Sequence, residues 1–463
     1  MQYNGISYNY GYWRNYQYYY YPPPSSGIAS DTYDGWYDII SQNWIINDGF
    51  PEDASKYYLQ PQTESEPEPE TLPYESMQII DNQLSGYENS LAINSNGDTI
   101  IVGSKYGGYG TYESHWNIYK LNNNLWELDI SFGNVHSSST QDIYYGTSAI
   151  SSQGNRVVLG SPYNNTYQGF IRVYEYNGSN WSQLGQDFTG GGIYDYFGST
   201  IAINSQGDRI VVGAPQDDRD NTFSSANGYC RIYEYDSYSN QWVQLGADIY
   251  GLSGSNFGTS VSINNIGNRV VIGGPKYDYN GITNSGYCVV YEYISGNWTQ
   301  LGGYIYGSGV SDGRSVVGDE FGYSVSMNSD GSRIVVGGPR THTVRIYEYD
   351  GTDWGIMGNS IVGVKDSQQA GLGNSVSINE SGDIIVLGAI NAYNSNFGNR
   401  VGDVSVYSLS GNSTSGYQWN LIKLIVGDQA GKKFGGSISI NSDGSVIVTR
   451  RIGSSPPRAY IIK

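Results

Sequence analysis

Few side chains in this 463-residue chain have the type and spacing that a reaction needs. Its three histidines, His115, His136 and His342, share no spacing with Cys, Asp or Glu that would make a metal site or a nucleophile–base–acid triad. Nothing in the chain resembles a phosphate loop, a dinucleotide fingerprint or a nucleophile elbow set between a strand and a helix. The densest run of carboxylates, Asp217-Asp-Arg-Asp220, reads first as a solvated loop and second as a cation site. Carboxylates brought together from distant segments would be invisible at this level. The expectation is a protein that is not an enzyme and that holds no cofactor and no metal.

What would position any such residues is a repeat. One phrase returns seven times, in its clearest form Phe321-Gly-Tyr-Ser-Val-Ser-Met-Asn-Ser-Asp-Gly-Ser-Arg-Ile-Val-Val-Gly-Gly-Pro339. Its Asn stands at 94, 204, 264, 328, 379 and 441, with Ser151 in the remaining copy, at steps of 57, 53, 60, 64, 51 and 62 residues. Each unit holds four strand signals. An alternating stretch (Ser260-Val-Ser-Ile-Asn264) meets an apolar run (Arg269-Val-Val-Ile-Gly273) across an Asn-Ser-x-Gly link suited to a type I turn closed by a glycine with positive φ. A Val-Tyr-Glu-Tyr-like third strand follows (Cys230 to Tyr235, Cys288 to Tyr293). The fourth opens with Trp126, Trp181, Trp242, Trp298, Trp354 or Trp419, and in the clearest copies reads Trp-x-Gln-Leu-Gly. Four antiparallel strands repeated seven times predict an all-β, seven-bladed β-propeller. The last unit ends at Ala459-Tyr-Ile-Ile462 without a fourth strand, while Met77-Gln-Ile-Ile-Asp-Asn-Gln-Leu-Ser-Gly86 has fourth-strand character ahead of the first unit. The N-terminal strand is therefore expected to complete the last blade and close the ring.

Phe197-Gly198 with Val211-Val-Gly-Ala-Pro215 resembles the FG-GAP repeat of integrin-α-like propellers, and the Val-Tyr and Trp-x-Gln continuations resemble its calcium-free branch. The resemblance covers about residues 77–463 and implies a ligand-binding or scaffolding propeller rather than a reaction. Tyr145-Gly146, Leu372-Gly373 and Tyr87-Glu88 depart from the Phe-Gly pattern. The link between first and second strands is too short for the dozen-residue oxygen cage that calcium requires.

Net charge is −19, and residues 1–76 hold 11 of the acids and 2 of the bases. A field of that sign repels nucleic acid and anionic membrane surfaces, so no nucleic-acid partner and no membrane insertion is expected. The organisation predicted is a Tyr-rich low-complexity arm (1–60), an acidic Pro/Glu linker (61–76) and the propeller (77–463). Neither a signal peptide nor an apolar run of spanning length is visible. Cys230 and Cys288 occupy equivalent third-strand positions in adjacent units, too far apart to bridge, and two thiols in so long a chain fit a reducing compartment. Most of the 46 tyrosines are expected to cover sheet rims with their hydroxyls in water.

The two kinds of loop differ in length. First-to-second and third-to-fourth turns are short, whereas second-to-third and blade-to-blade links, which share the opposite face, are long and varied. That face is the candidate binding surface, with Tyr106, Tyr109, Asp217, Arg219, Tyr277 and Tyr279 as its side chains. A non-enzymatic structural or assembly protein is expected, contacting proteins or its own copies, its composition that of a virion component of a large DNA virus. A receptor- or glycan-binding adhesin is the alternative, and an enzyme with a channel site trails both.

Overall fold

The computed structural model describes residues 2–3, 6–7, 18–19, 35–38, 43–46, 87–106, 113–133, 146–162, 167–216, 226–311, 316–363, 370–393, 400–427, 431–450 and 460–462. The chain forms two compact units, 1–68 and 69–463, divided inside the acidic stretch. The first holds a two-stranded pair, Gln2–Tyr3 with Ile6–Ser7, and a three-stranded sheet of Tyr18–Tyr19, Gly35–Asp38 and Asn43–Ile46.

Among the described residues the second unit holds seven antiparallel blade sheets, their main strands in sequential order, and one separate two-stranded pair, Gly309–Ser311 with Val316–Gly318. In blade four the strands are Ser260–Ile263, Arg269–Gly274, Tyr287–Ile294 and Asn297–Gln300. Blade one runs from Tyr87–Ile93 to Leu125–Gly133, and blade six from Leu372–Ile378 to Gly416–Val426. Blade seven shows Ile438–Ile440, Ile447–Thr449 and Tyr460–Ile462. The expected closing strand, Met77–Gly86, lies outside the described residues.

The turn reading holds in chemical detail. Gly207 sits at φ 74° and donates its N–H to the Asn204 carbonyl, 3.0 Å. The buried Asn204 side chain then latches the hairpin. Its Oδ1 accepts the N–H groups of Asp208 and Arg209 at 3.0 and 2.9 Å, and its Nδ2 donates to Asp208 Oδ1 at 2.7 Å. Asn94 and Asn379 repeat this set, and Ser151 keeps one acceptor bond, from Arg156 N–H at 3.1 Å. Buried backbone donors must be paired somewhere, which is why the repeat returns to Asn at this place.

The Trp-x-Gln-Leu-Gly phrase is an inter-blade latch. Trp242 Nε1 donates to the Leu184 carbonyl of the preceding blade at 3.0 Å, Trp298 to Leu245 at 2.8 Å and Trp354 to Leu301 at 2.9 Å. The glycine after each Leu has positive φ, and a Cβ on Gly185 would stand 2.7 Å from Trp242 Cδ1. This kink splits the expected fourth strand. In blade four, Ile305–Tyr306 resumes the pairing two residues out of step with Asn297–Gln300. Blades one and six lack Leu-Gly, and their outer strands run unbroken through a one-residue irregularity.

Tyrosine burial departs from expectation. Tyr229 and Tyr287 are fully buried and Tyr119, Tyr233, Tyr347 and Tyr407 nearly so, because the third strand of each blade is sandwiched between neighbours. Cys230 and Cys288 are free thiols, each with no exposed surface. Burial pushes both thiols far above their usual range.

Candidate functional site: an axial channel and a loop face

Each second strand of blades two to five opens with Arg, placed by register opposite the Glu of the third strand: Arg156 with Glu175, Arg209 with Glu234, Arg269 with Glu292 and Arg333 with Glu348. The pairs close at 2.6–2.8 Å. Each Arg Nη1 also reaches the turn glycine carbonyl of the next blade, Gly207, Gly267, Gly331 or Gly382, at 3.1–3.2 Å. Sequence reasoning missed this staple, although Arg ahead of the apolar run and Glu between two Tyr were both visible. The missing fact was the register.

At the centre, the residue after each anchor donates its backbone N–H to its counterpart in the next blade. The bonds run Ser95 to Ser152, Ser152 to Ser205, Ser205 to Asn265, Asn265 to Ser329, Ser329 to Glu380, Glu380 to Ser442 and Ser442 back to Ser95, all at 2.9–3.3 Å. This seven-membered belt closes the ring independently of the outer strands. A polar cavity of about 150 Å³ lies within it, floored by Ile93, Ile150, Ile203, Met327, Ile378 and Ile440.

On the opposite face, the blade-four loop Lys276 to Ser285 carries Tyr277 and Tyr279. Asn280 and Gly281, both at positive φ, turn it so that Tyr279 and Ile282 exchange backbone bonds of 3.3 and 3.0 Å. Tyr279 stacks on Tyr306 with centroids 3.8 Å apart and planes 3° from parallel. Tyr277 meets Tyr306 at 6.1 Å and Tyr287 edge-on at 5.4 Å, and Tyr304 packs on the same group. The four outer rings are half-buried. Burial and the phenols of Tyr277, Tyr279 and Tyr304 raise the pKa of Tyr306. Lys276 and Arg340 both reach Glu320 beside the group, at 2.7 and 3.6 Å.

A second group went unforeseen. Tyr194 stacks on Tyr167 at 5.5 Å, Tyr196 lies at the same distance, and all three rings sit on backbone at positive φ. Bulky residues rarely adopt that conformation. Among the predicted side chains, the structure thus brings together Tyr277 and Tyr279. Tyr106 ends the second strand of blade one, its side chain not described, and Tyr109, Asp217 and Arg219 lie outside the described residues, as does His136. His342 is a turn residue, its Nδ1 accepting the Gly371 N–H at 2.8 Å. Among the described residues no three His, Cys, Asp or Glu side chains converge as a metal would require.

No protein-family model and no curated sequence matches the chain. Among solved structures, the C-terminal WD40 domain of Sif2 is 14% identical, with 84% of this chain and 98% of that one covered and a TM-score of 0.49. Hydrazine synthase from Kuenenia stuttgartiensis is 13% identical, over 80% and 94%, at 0.48. The β-propeller domain of Cps50 (Swd1) from Myceliophteria thermophila is 9% identical, over 84% of this chain and all of that one, at 0.51. At such identity the likeness speaks for the fold alone, and with seven sequential sheets and a closed belt the chain is a β-propeller.

Proposed function

We propose that the protein is a non-catalytic interaction and assembly scaffold whose partner docks on the loop face at the blade-four tyrosines. The observation that carries this reading is the Tyr277–Tyr279–Tyr304–Tyr306 group, four half-buried rings held on a rigid sheet end. Aromatic side chains offer large contact area at low entropic cost and concentrate binding energy at interfaces. The repeat is assigned to the FG-GAP type, with Phe197, Phe257, Phe321 and Phe434 as its buried Phe and the blades as its units. The finer form of the reading, a virion shell component, rests on composition.

The test uses the full chain and a double variant, Tyr279→Ser with Tyr306→Ser. Sedimentation velocity should show concentration-dependent multimers for the parent and monomer for the variant, with melting temperatures within a few degrees. Multimers that survive the substitution place assembly elsewhere. Binding of the parent to a glycan array, lost in the variant, favours the adhesin reading, for which the stacked Tyr279–Tyr306 pair is the specific support.

A further inference from the structure

The belt leaves the channel mouth with a defined chemistry. Backbone N–H and carbonyl groups of its seven residues bond one another, so what they offer the channel is side chain: five hydroxyls, the Asn265 amide and one carboxylate, Glu380. Glu380 stands where five other blades carry Ser. Its Oε1 accepts the Ser95 hydroxyl at 2.7 Å, two blades further round, so the half-buried carboxylate lies across the opening as a chord.

The surrounding face is net negative, its cations Lys120 and the strand-opening arginines being paired with carboxylates. The first-to-second turns carry Asp98, Asp208, Asp330, Asp383 and Asp443 beside Glu380, and the third-to-fourth turns add Asp236, Asp350 and Asp353. The arginines of these turns, Arg156, Arg209, Arg269 and Arg333, are each committed to a third-strand glutamate. Such a rim concentrates cations at the mouth. The cavity of about 150 Å³ has room for several waters or one small cationic head group, since a water needs roughly 10–15 Å³ on this measure. A divalent ion is a poorer fit. Calcium takes about 6–8 oxygen ligands, whereas the belt carbonyls here already accept amides and one carboxylate is offered.

We propose that this mouth receives one guanidinium or ammonium side chain of a partner protein, with Glu380 as its counter-ion and the serine hydroxyls as acceptors. The site lies on the face opposite the tyrosine group and stands independently of the docking reading above. A donor-only cation meeting an acceptor-only carboxylate in a half-dry site is the strong form of hydrogen bond.

The test titrates acetyl-Gly-Arg-Gly-amide, its lysine and citrulline counterparts, and calcium chloride into the full chain at low salt, reading heat of binding and thermal melts. The arginine or lysine peptide should bind saturably and the citrulline peptide at least tenfold more weakly. Glu380→Ser, a residue the belt accepts in five blades, should melt as the parent does without peptide and lose the cationic preference; Glu380→Gln should do the same. Equal binding of citrulline, saturation by calcium instead of peptide, retention of the preference in both variants, or no binding of any probe would each overturn the proposal.

Discussion

Replacing Asn204 by Ala tests whether the anchor side chain, rather than the turn sequence around it, holds each blade to the axis. The substitution removes two bonds accepted by Oδ1 from Asp208 and Arg209 N–H at 3.0 and 2.9 Å and two donated by Nδ2, to Asp208 Oδ1 at 2.7 Å and to Gln206 Oε1 at 3.1 Å, in a residue 2% exposed. Two backbone donors lose their acceptor. With a net value near 1 kcal/mol per bond and about 1–3 kcal/mol for each donor left dry, the expected loss is roughly 3 kcal/mol. An unfolding entropy of about 2.1 cal/mol/K per residue, over the 395 residues of the second unit, gives roughly 0.8 kcal/mol/K, so the melting temperature should fall by about 4 °C. Asn204→Ser should cost less than half as much, because Ser151 fills the same place in blade two and still accepts the Arg156 N–H. Differential scanning calorimetry on the three proteins decides the matter. Equal melting temperatures for the Ala and Ser variants, or a fall below 1 °C for Ala, would refute the latch.

Three further outcomes follow from the same geometry. Trp242→Phe should cost about 1 kcal/mol through the lost bond to Leu184, and Gly185→Ala about 2 kcal/mol or more through its left-handed backbone and the Trp242 contact; in a double-mutant cycle by urea unfolding the two costs should not add, since both act on one contact. Burial raises the Asp248 pKa, but the Arg231 guanidinium, bonded twice at 2.7 Å, outweighs burial and holds it below its usual value. That contribution is complete above the unfolded value near 3.9 and fades as pH falls through the folded one, so the stability gap between parent and Asp248→Asn should be widest near neutrality and shrink below about pH 4 in denaturant titrations. Cys230 and Cys288 should resist a thiol reagent in the native protein and react together in urea; reaction of either in native buffer contradicts their burial.

The parts of the molecule that repeat were legible because repetition exposes local rules. An Asn five residues before a strand with a Gly three places after it states a turn, whereas the Leu-Gly kink after Trp went unforeseen because the phrase reads as one continuous strand. Contacts that depend on register or on the ring as a whole were not legible. Arg209 and Glu234 are 25 positions apart, and their pairing follows only once the two strands are aligned. Glu380 differs from its repeat-mates by one residue type, and its meaning appears only when seven turns are gathered on an axis. The tyrosines misled for a related reason. A third strand with alternating Tyr looks half-solvated when one sheet is considered, but a blade has neighbours on both faces, and Tyr229 and Tyr287 vanish between them.

The latches are unevenly shared around the ring, and that unevenness locates where it should open first. Arg staples join blade two to three, three to four, four to five and five to six, whereas the equivalent positions in blades one, six and seven are Thr99, Ile384 and Val446. Outer-strand Trp latches likewise join blade one through six, from Trp181 on Asp129 to Trp419 on Met357. Trp126 of blade one, facing blade seven, has a buried Nε1 with no partner among the described residues. Among the described residues, the sector of blades six, seven and one lacks both latches and is held by the axial belt, by shorter-reach bonds such as Ser375 Oγ to the Gly435 carbonyl at 2.7 Å and the Ile93 N–H to Ser439 Oγ at 3.3 Å, and by apolar contact, Leu91, Ile93, Val446 and Val448 across one seam and Val404, Val406, Ile438 and Ile447 across the other. Apolar burial is strong but undirected, and local opening begins where fewest directional bonds must break together. Native-state hydrogen exchange should therefore show amides of Ile438–Ile440 and Ile447–Thr449 exchanging faster than the matching amides of blades three and four, by at least tenfold. The decisive comparison is removal: Arg209→Met should speed exchange in blades three and four toward the blade-seven rate. If blade seven is already the slowest, or if removing the Arg209 staple leaves blades three and four unchanged, directional latches do not set the order of opening.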